Sequence, residues 1–126
     1  MHDDLHTLNM MFENNRLIGI LDFGDTNVGT PEQELRQLYR INDDVMFAAV
    51  SEYQKLSGQG LNVEALKLWA IMQELAVFSK SFIASKTNHH TFKRAARNLN
   101  TWLNEGEWGK GYDIASSGMS QKITQI

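Results

Sequence analysis

Near the start of the chain stand His2, Asp4 and Asn9, in the stretch HDDLHTLN, and a second acidic group follows at Asp22 in GILDFGD. A carboxylate such as Asp4 can take a proton from a hydroxyl. An amide oxygen from Asn9 and a carboxylate from Asp22 are hard ligands of the kind Mg²⁺ takes, with phosphate oxygens and waters completing its octahedron. Either chemistry needs the two clusters in one place. Residues 10–13 and 17–23 are apolar and strand-like, and the Asn14-Asn15-Arg16 between them reads as a hairpin turn, because Asn tolerates left-handed backbone angles. Such a hairpin returns Asp22 toward Asn9. His2, Asp4 and His6 also suggest a metal-hydrolase cluster, but no further His or carboxylate sits at a partner spacing.

The order H-x-D-x-x-x-x-N, then D-F-G, is the pairing used in kinase-type phosphoryl transfer. The wording HDDLHTLN, LDFGD and GTPEQEL resembles the aminoglycoside phosphotransferase-like family of the kinase-like fold, which typically reads HGDLHPGN, IDFGD and G-x-P-x-x-D-L. The resemblance covers residues 1 to about 41. It implies that Asp4 is the base for an acceptor hydroxyl, and that Asn9 and Asp22 hold the Mg²⁺ that carries ATP or GTP. It also implies that His2 props the catalytic loop, that Gly24 allows the turn after Asp22, and that Glu34 braces the loop from the first helix. Asp3 for Gly, Thr7-Leu8 for Pro-Gly and Glu34 for Asp are departures from the pattern. None removes a catalytic group, although Asp3 adds a charge beside the base.

The elements that must position these residues are mostly helical. Thr30 is a good N-cap, Pro31 suits the first helical position, and Gln33 completes a capping box. Leu35, Leu38, Tyr39 and Ile41 give that helix its apolar face. A second helix is expected over 43–56, with Val45, Ala49, Val50, Tyr53 and Leu56 inward and Gly58 ending it. A third is expected over 63–85, its apolar positions spread so widely (Trp69 and Met72 among them) that it should be central and buried. A fourth, over 91–103, has a stripe of Phe92, Ala95, Ala96, Leu99, Trp102 and Leu103, with Lys93, Arg94 and Arg97 on a solvated face. His89-His90 reads as its polar start, and Asp25 as a helix- or turn-capping residue rather than a third metal ligand, though it lies close enough to the site to serve as one. The fold class is therefore mainly α: a short hairpin carrying the catalytic loop plus about four helices, resembling part of the C-terminal lobe of the kinase-like fold. Residues 1–29 form the catalytic loop, hairpin and metal-binding loop; 30–106 the helical, substrate-binding part; 107–126 an irregular tail.

Composition narrows the classes. With 42% hydrophobic and 21% charged residues the chain is globular rather than disordered. A net charge of −3 gives no field for nucleic acid or an anionic membrane. Cysteine is absent, so thiolate chemistry and disulfides are excluded, which fits a cytoplasmic protein. No apolar run is long enough to span a membrane.

No Gly-rich phosphate loop occurs in the 126 residues. The chain therefore reads as the C-terminal part of a longer small-molecule phosphotransferase, with little or no activity by itself. Its acceptor is expected to be a hydroxyl on an aminoglycoside-like or other amino alcohol or sugar. Asp43, Asp44 and Glu74 are available to a cationic group, or are ordinary helix surface. Unburied apolar surface on such a fragment points to a homodimer. The competing reading is a non-catalytic helical interaction module.

Overall fold

Asn14 and Asn15 both take left-handed backbone angles, φ 49° and 61°, and close a two-residue hairpin turn. Strand β1 (Met10–Glu13) runs antiparallel to β2 (Arg16–Ile20), with Glu13 opposite Arg16 and Met10 opposite Ile20. The register slips between Met11 and Phe12, whose partners are Gly19 and Leu17, so Ile18 bulges. β2 stops at Ile20 instead of running to residue 23. Asp22 turns left-handed there, φ 59°, which ends the extended run. The computed structural model describes residues 1–109; the expected tail lies outside the described residues from position 110 onward.

Helix α1 (Pro31–Leu35) starts on Thr30, whose hydroxyl accepts the Gln33 N–H at 3.2 Å. The reciprocal arm of the capping box is not formed. Gln33 Oε1 instead lies so close to Gly29 that a Cβ built there would be 2.8 Å away, and 2.4–2.5 Å from the Met1 side chain. A larger residue there would have to displace the flexible ends of the Met1 and Gln33 side chains. The chain tightens into a 3₁₀ segment, Arg36–Arg40. Helix α2 (Asp43–Ser57) is capped by Asn42, which accepts the Val45 N–H, and ends on Gly58 at φ 71°. Helix α3 (Val63–Ile83) and helix α4 (His90–Leu99) pack against each other, and α4 widens into a π turn over Asn100–Asn104. His89 caps α4 by accepting the Thr91 N–H.

Among the described residues the fold is mainly helical, four α-helices and one hairpin, in agreement with the sequence. Its core joins the 3₁₀ segment, α2, α3 and the π turn through Leu38, Tyr39, Met46, Val50, Leu66, Ala70 and Trp102. Val50 is fully inside, whereas Leu56, also expected inward, is exposed at the end of α2. Trp102 stands edge-on to Tyr39 and stacks on Trp108, their centroids 4.4 Å apart.

Two expectations fail in α3 and α4. Helix α3 buries only the stripe Leu66, Ala70 and Glu74, whereas Met72 is 59% and Phe82 64% exposed. Helix α4 turns its expected stripe inward, with Ala95 and Trp102 buried and Lys93 and Arg97 exposed, but Arg94 and Asn98 are buried beside it. The cause is Glu74. Its carboxylate is wholly buried and needs donors. Tyr39 Oη donates to Oε1 at 2.5 Å, Arg94 Nη2 to Oε1 at 2.8 Å, and Asn98 Nδ2 to Oε2 at 3.1 Å. Arg94 is thus part of the core rather than of a solvated face, and Glu74 is neither surface nor open to a ligand. Asp43 is likewise buried, accepting from Trp102 Nε1 and the Gly109 N–H. Among the described residues no helix is long and apolar enough to cross a membrane.

Candidate active site

The hairpin gathers the two acidic clusters at its open end. Asn9 closes a short 3₁₀ turn, Thr7–Asn9, and its carbonyl accepts the Leu21 N–H at 2.7 Å, extending the hairpin by one rung. Asp22 follows immediately, at the bend.

His2 ties the preceding loop to the same place. It is buried, only 8% exposed. Its Nδ1 accepts the Asp4 N–H at 3.2 Å, so the ring proton sits on Nε2, which donates to the Leu21 carbonyl at 2.6 Å. Phe23 packs edge-on against the ring. Both nitrogens are engaged, so His2 cannot ligate a metal, and the hydrolase cluster of His2, Asp4 and His6 does not form. Among the described residues no group of three His, Asp or Glu is arranged for a metal ion.

Asp4 is the focus of the loop. Asn9 Nδ2 donates to its carbonyl at 2.9 Å and to Oδ2 at 3.2 Å, while Arg40 Nη1 approaches Oδ1 at 3.4 Å. His6 Nδ1 accepts the Leu8 N–H, which leaves the proton on Nε2, 3.3 Å from Asp4 Oδ1. Burial, followed by the charge of Arg40, holds His6 below its ordinary pKa of 6.5. The ring is therefore neutral at pH 7, and its approach to Asp4 is that of a neutral N–H.

Glu34 Oε2 accepts the Asp3 N–H at 2.9 Å and Gln37 Nε2 donates to the Asp3 carbonyl at 3.0 Å, fastening the loop to α1 and the segment after it. Asp3 itself is left-handed, φ 67°. That conformation is free for glycine and less favourable for other residues, with Asp among the best tolerated. After the hairpin, the left-handed step of the tight turn falls on Asp22 rather than on Gly24. Gly24 donates weakly to Asp22 Oδ1, at 3.4 Å. Asp25 caps nothing. The turn closes from Thr26 N–H to the Phe23 carbonyl, and the Asp25 carboxylate takes no hydrogen bond among the described residues.

The donor set suits a hard cation. Asn9 uses its NH₂ on Asp4, which leaves Oδ1 with no hydrogen bond among the described residues, and Asp22 is exposed with only the weak Gly24 contact. Two oxygen ligands, one of them charged, are what Mg²⁺ accepts from protein when phosphates supply the rest.

Sequence reasoning missed Arg36, Gln37 and Arg40. Arg36 is buried against the Trp69 ring, 5.7 Å from its centroid, and Arg40 meets Asp4. The available signal is two arginines four apart in a stretch expected to be helical, shortly after Glu34. Residues 1–75 match the model of the phosphotransferase enzyme family, so the match runs through α2 into the first half of α3, well beyond the motifs. No curated protein and no solved structure matches the chain.

Proposed function

The chain belongs to the phosphotransferase enzyme family, and from that premise we propose that residues 1–29 carry the catalytic side of phosphoryl transfer from ATP or GTP to a small-molecule hydroxyl. Asp4 is the base: the acceptor O–H bond breaks, its proton goes to the Asp4 carboxylate, and the oxygen forms a bond to the γ-phosphorus as the bond to the nucleoside diphosphate breaks. Arg40 and His6 orient that carboxylate from one side and Asn9 from the other. Asn9 Oδ1 and Asp22 would hold Mg²⁺, which when bound neutralises charge on the phosphate oxygens. The single observation that supports this reading is the convergence on Leu21. Its carbonyl takes His2 and its N–H takes Asn9, which joins the Asp4 loop to Asp22.

The reading gives this chain the catalytic and acceptor side of the reaction and little turnover by itself, since its sequence holds no Gly-rich phosphate loop. It carries with it a cytoplasmic location, where nucleotide and Mg²⁺ are available. Calorimetric titration with Mg·ATP tests it. Saturable, Mg²⁺-dependent binding that Asp22→Ala removes supports the reading. Binding indifferent to Mg²⁺ and to Asp22→Ala contradicts it.

A second reading, an interaction or self-association module, rests on the hairpin. Leu17, Ile18, Ile20, Leu21 and Phe23 are all exposed. A homodimer through this surface would appear in light scattering and be lost in Ile18→Lys; a monomer at micromolar concentration counts against it.

A further inference from the structure

Beside Asp4 lies a cavity of about 410 Å³ floored by Arg36, Gln37, Trp69 and Gln73. Its walls hold four buried polar atoms with no hydrogen-bond partner: Arg36 Nε and Nη1, Gln37 Oε1 and Gln73 Oε1. Arg36 is 9% and Gln37 3% exposed, so these are not groups turned to bulk water. Folded proteins leave few such atoms unmet, and a cluster of them in one cavity beside a candidate base describes a ligand. Two unmet N–H groups ask for acceptor oxygens. Two unmet amide oxygens ask for hydroxyl donors. The Trp69 ring, with the Arg36 guanidinium over it, lines the same cavity.

Charge sets the class further. Arg40 and Gln73 also line a second cavity, about 380 Å³, between the end of α3 and the start of α4. Lys80, Lys86 and His89 line it, and no Asp or Glu does. Arg94, also in its wall, is neutralised by Glu74. Lys80 and Lys86 are exposed and make no ion pair among the described residues. Asp3 and Asp4 offset Arg36 and Arg40 in the first cavity, but among the described residues no carboxylate lines the second beside the lysines. Of the three carboxylates the sequence offered to a cationic group, Asp43 and Glu74 are consumed in the core, and Asp44 is exposed on α2 and lines neither cavity.

We infer that the acceptor is a polyhydroxylated anion, of the sugar-acid class, rather than a cationic amino sugar. Its hydroxyls meet Gln37, Gln73 and Asp4, and its negative group lies toward Arg36 and the Lys80–Lys86 side. This rests on the phosphotransfer reading for the place of the acceptor, and it adds the acceptor's charge and class.

The test is titration of the 126-residue chain with D-gluconate, D-glucose and D-glucosamine, without nucleotide or metal, followed by the Trp69 indole resonance. Gluconate is expected to bind about tenfold more tightly than glucose, the worth of one charge-assisted contact. The double variant Lys80→Gln/Lys86→Gln, at exposed positions, should weaken gluconate about tenfold and leave glucose unchanged. Arg36→Gln should weaken gluconate as well, with folding checked by circular dichroism. Glucosamine binding as tightly as gluconate, gluconate binding that ignores the lysine pair, or no saturable binding at all would overturn the inference. Each of those outcomes leaves the phosphotransfer reading standing, since that reading is tested by metal and nucleotide binding at Asn9 and Asp22 and not by these sugars.

Discussion

His2 and Leu21 are joined across nineteen positions of sequence by a 2.6 Å hydrogen bond from the imidazole Nε2 to a backbone carbonyl. The same ring accepts the Asp4 N–H, so one buried side chain sets the distance between the loop that carries Asp4 and the bend that carries Asp22. Replacing it by alanine removes both bonds and leaves a half-buried carbonyl and N–H without their protein partner. His2→Ala is expected to cost about 1–3 kcal/mol, measured by urea denaturation. Hydrogen exchange should show faster opening at the Asp4 amide, with the α3–α4 packing unchanged.

His6 makes the loop sensitive to acid. Burial and Arg40 hold its folded pKa below 6.5, whereas the unfolded chain takes up a proton near 6.5. Just below that pH the unfolded state binds more protons, so stability rises with pH in that window. Stability is therefore full above it and falls as pH drops through 6.5 toward the folded value. The urea midpoint should decrease between about pH 7.5 and about pH 5.5, and His6→Gln should flatten that change.

The Glu74 carboxylate holds Arg94, Tyr39 and Asn98 together in the core. Burial and this carboxylate push the Tyr39 phenol up, which keeps Oη a donor. Glu74→Ala leaves a buried guanidinium without its counter-charge, and should cost about 3–5 kcal/mol. Adding Arg94→Met should recover part of that loss, and a double-mutant cycle measures the coupling.

The local elements were legible because their signals are local. Thr30-Pro31 started α1, Gly58 ended α2, and Asn14-Asn15 turned the hairpin. The core residues Leu38, Tyr39 and Val50 were legible from helical spacing. What failed was the facing of charged residues. Arg94 and Glu74 each look like surface when read alone. Only their pairing across twenty positions makes burial favourable, and that pairing draws Arg94 into the core beside the apolar stripe. The expectation that α3 is buried all round failed for a related reason. Hydrophobic residues such as Met72 and Phe82 do not by themselves name the partner that would cover them. In the site, the motif spacing named Asp4, Asn9 and Asp22. The cavity beside Asp4 depends on Arg36, Gln37 and Gln73, from two separate elements, and no single-segment pattern reports it.

The most direct test of the central claim is where a divalent cation binds. Mn²⁺ takes the same hard oxygen ligands as Mg²⁺ and broadens nearby resonances. Added with ATP to the ¹⁵N-labelled chain, it should selectively broaden the amides around Asn9 and around Asp22 to Gly24, and this should vanish in Asp22→Ala. Broadening confined to other acidic positions, or unchanged in Asp22→Ala, would contradict the assignment of Asn9 and Asp22 as the metal and nucleotide end of a phosphoryl-transfer site.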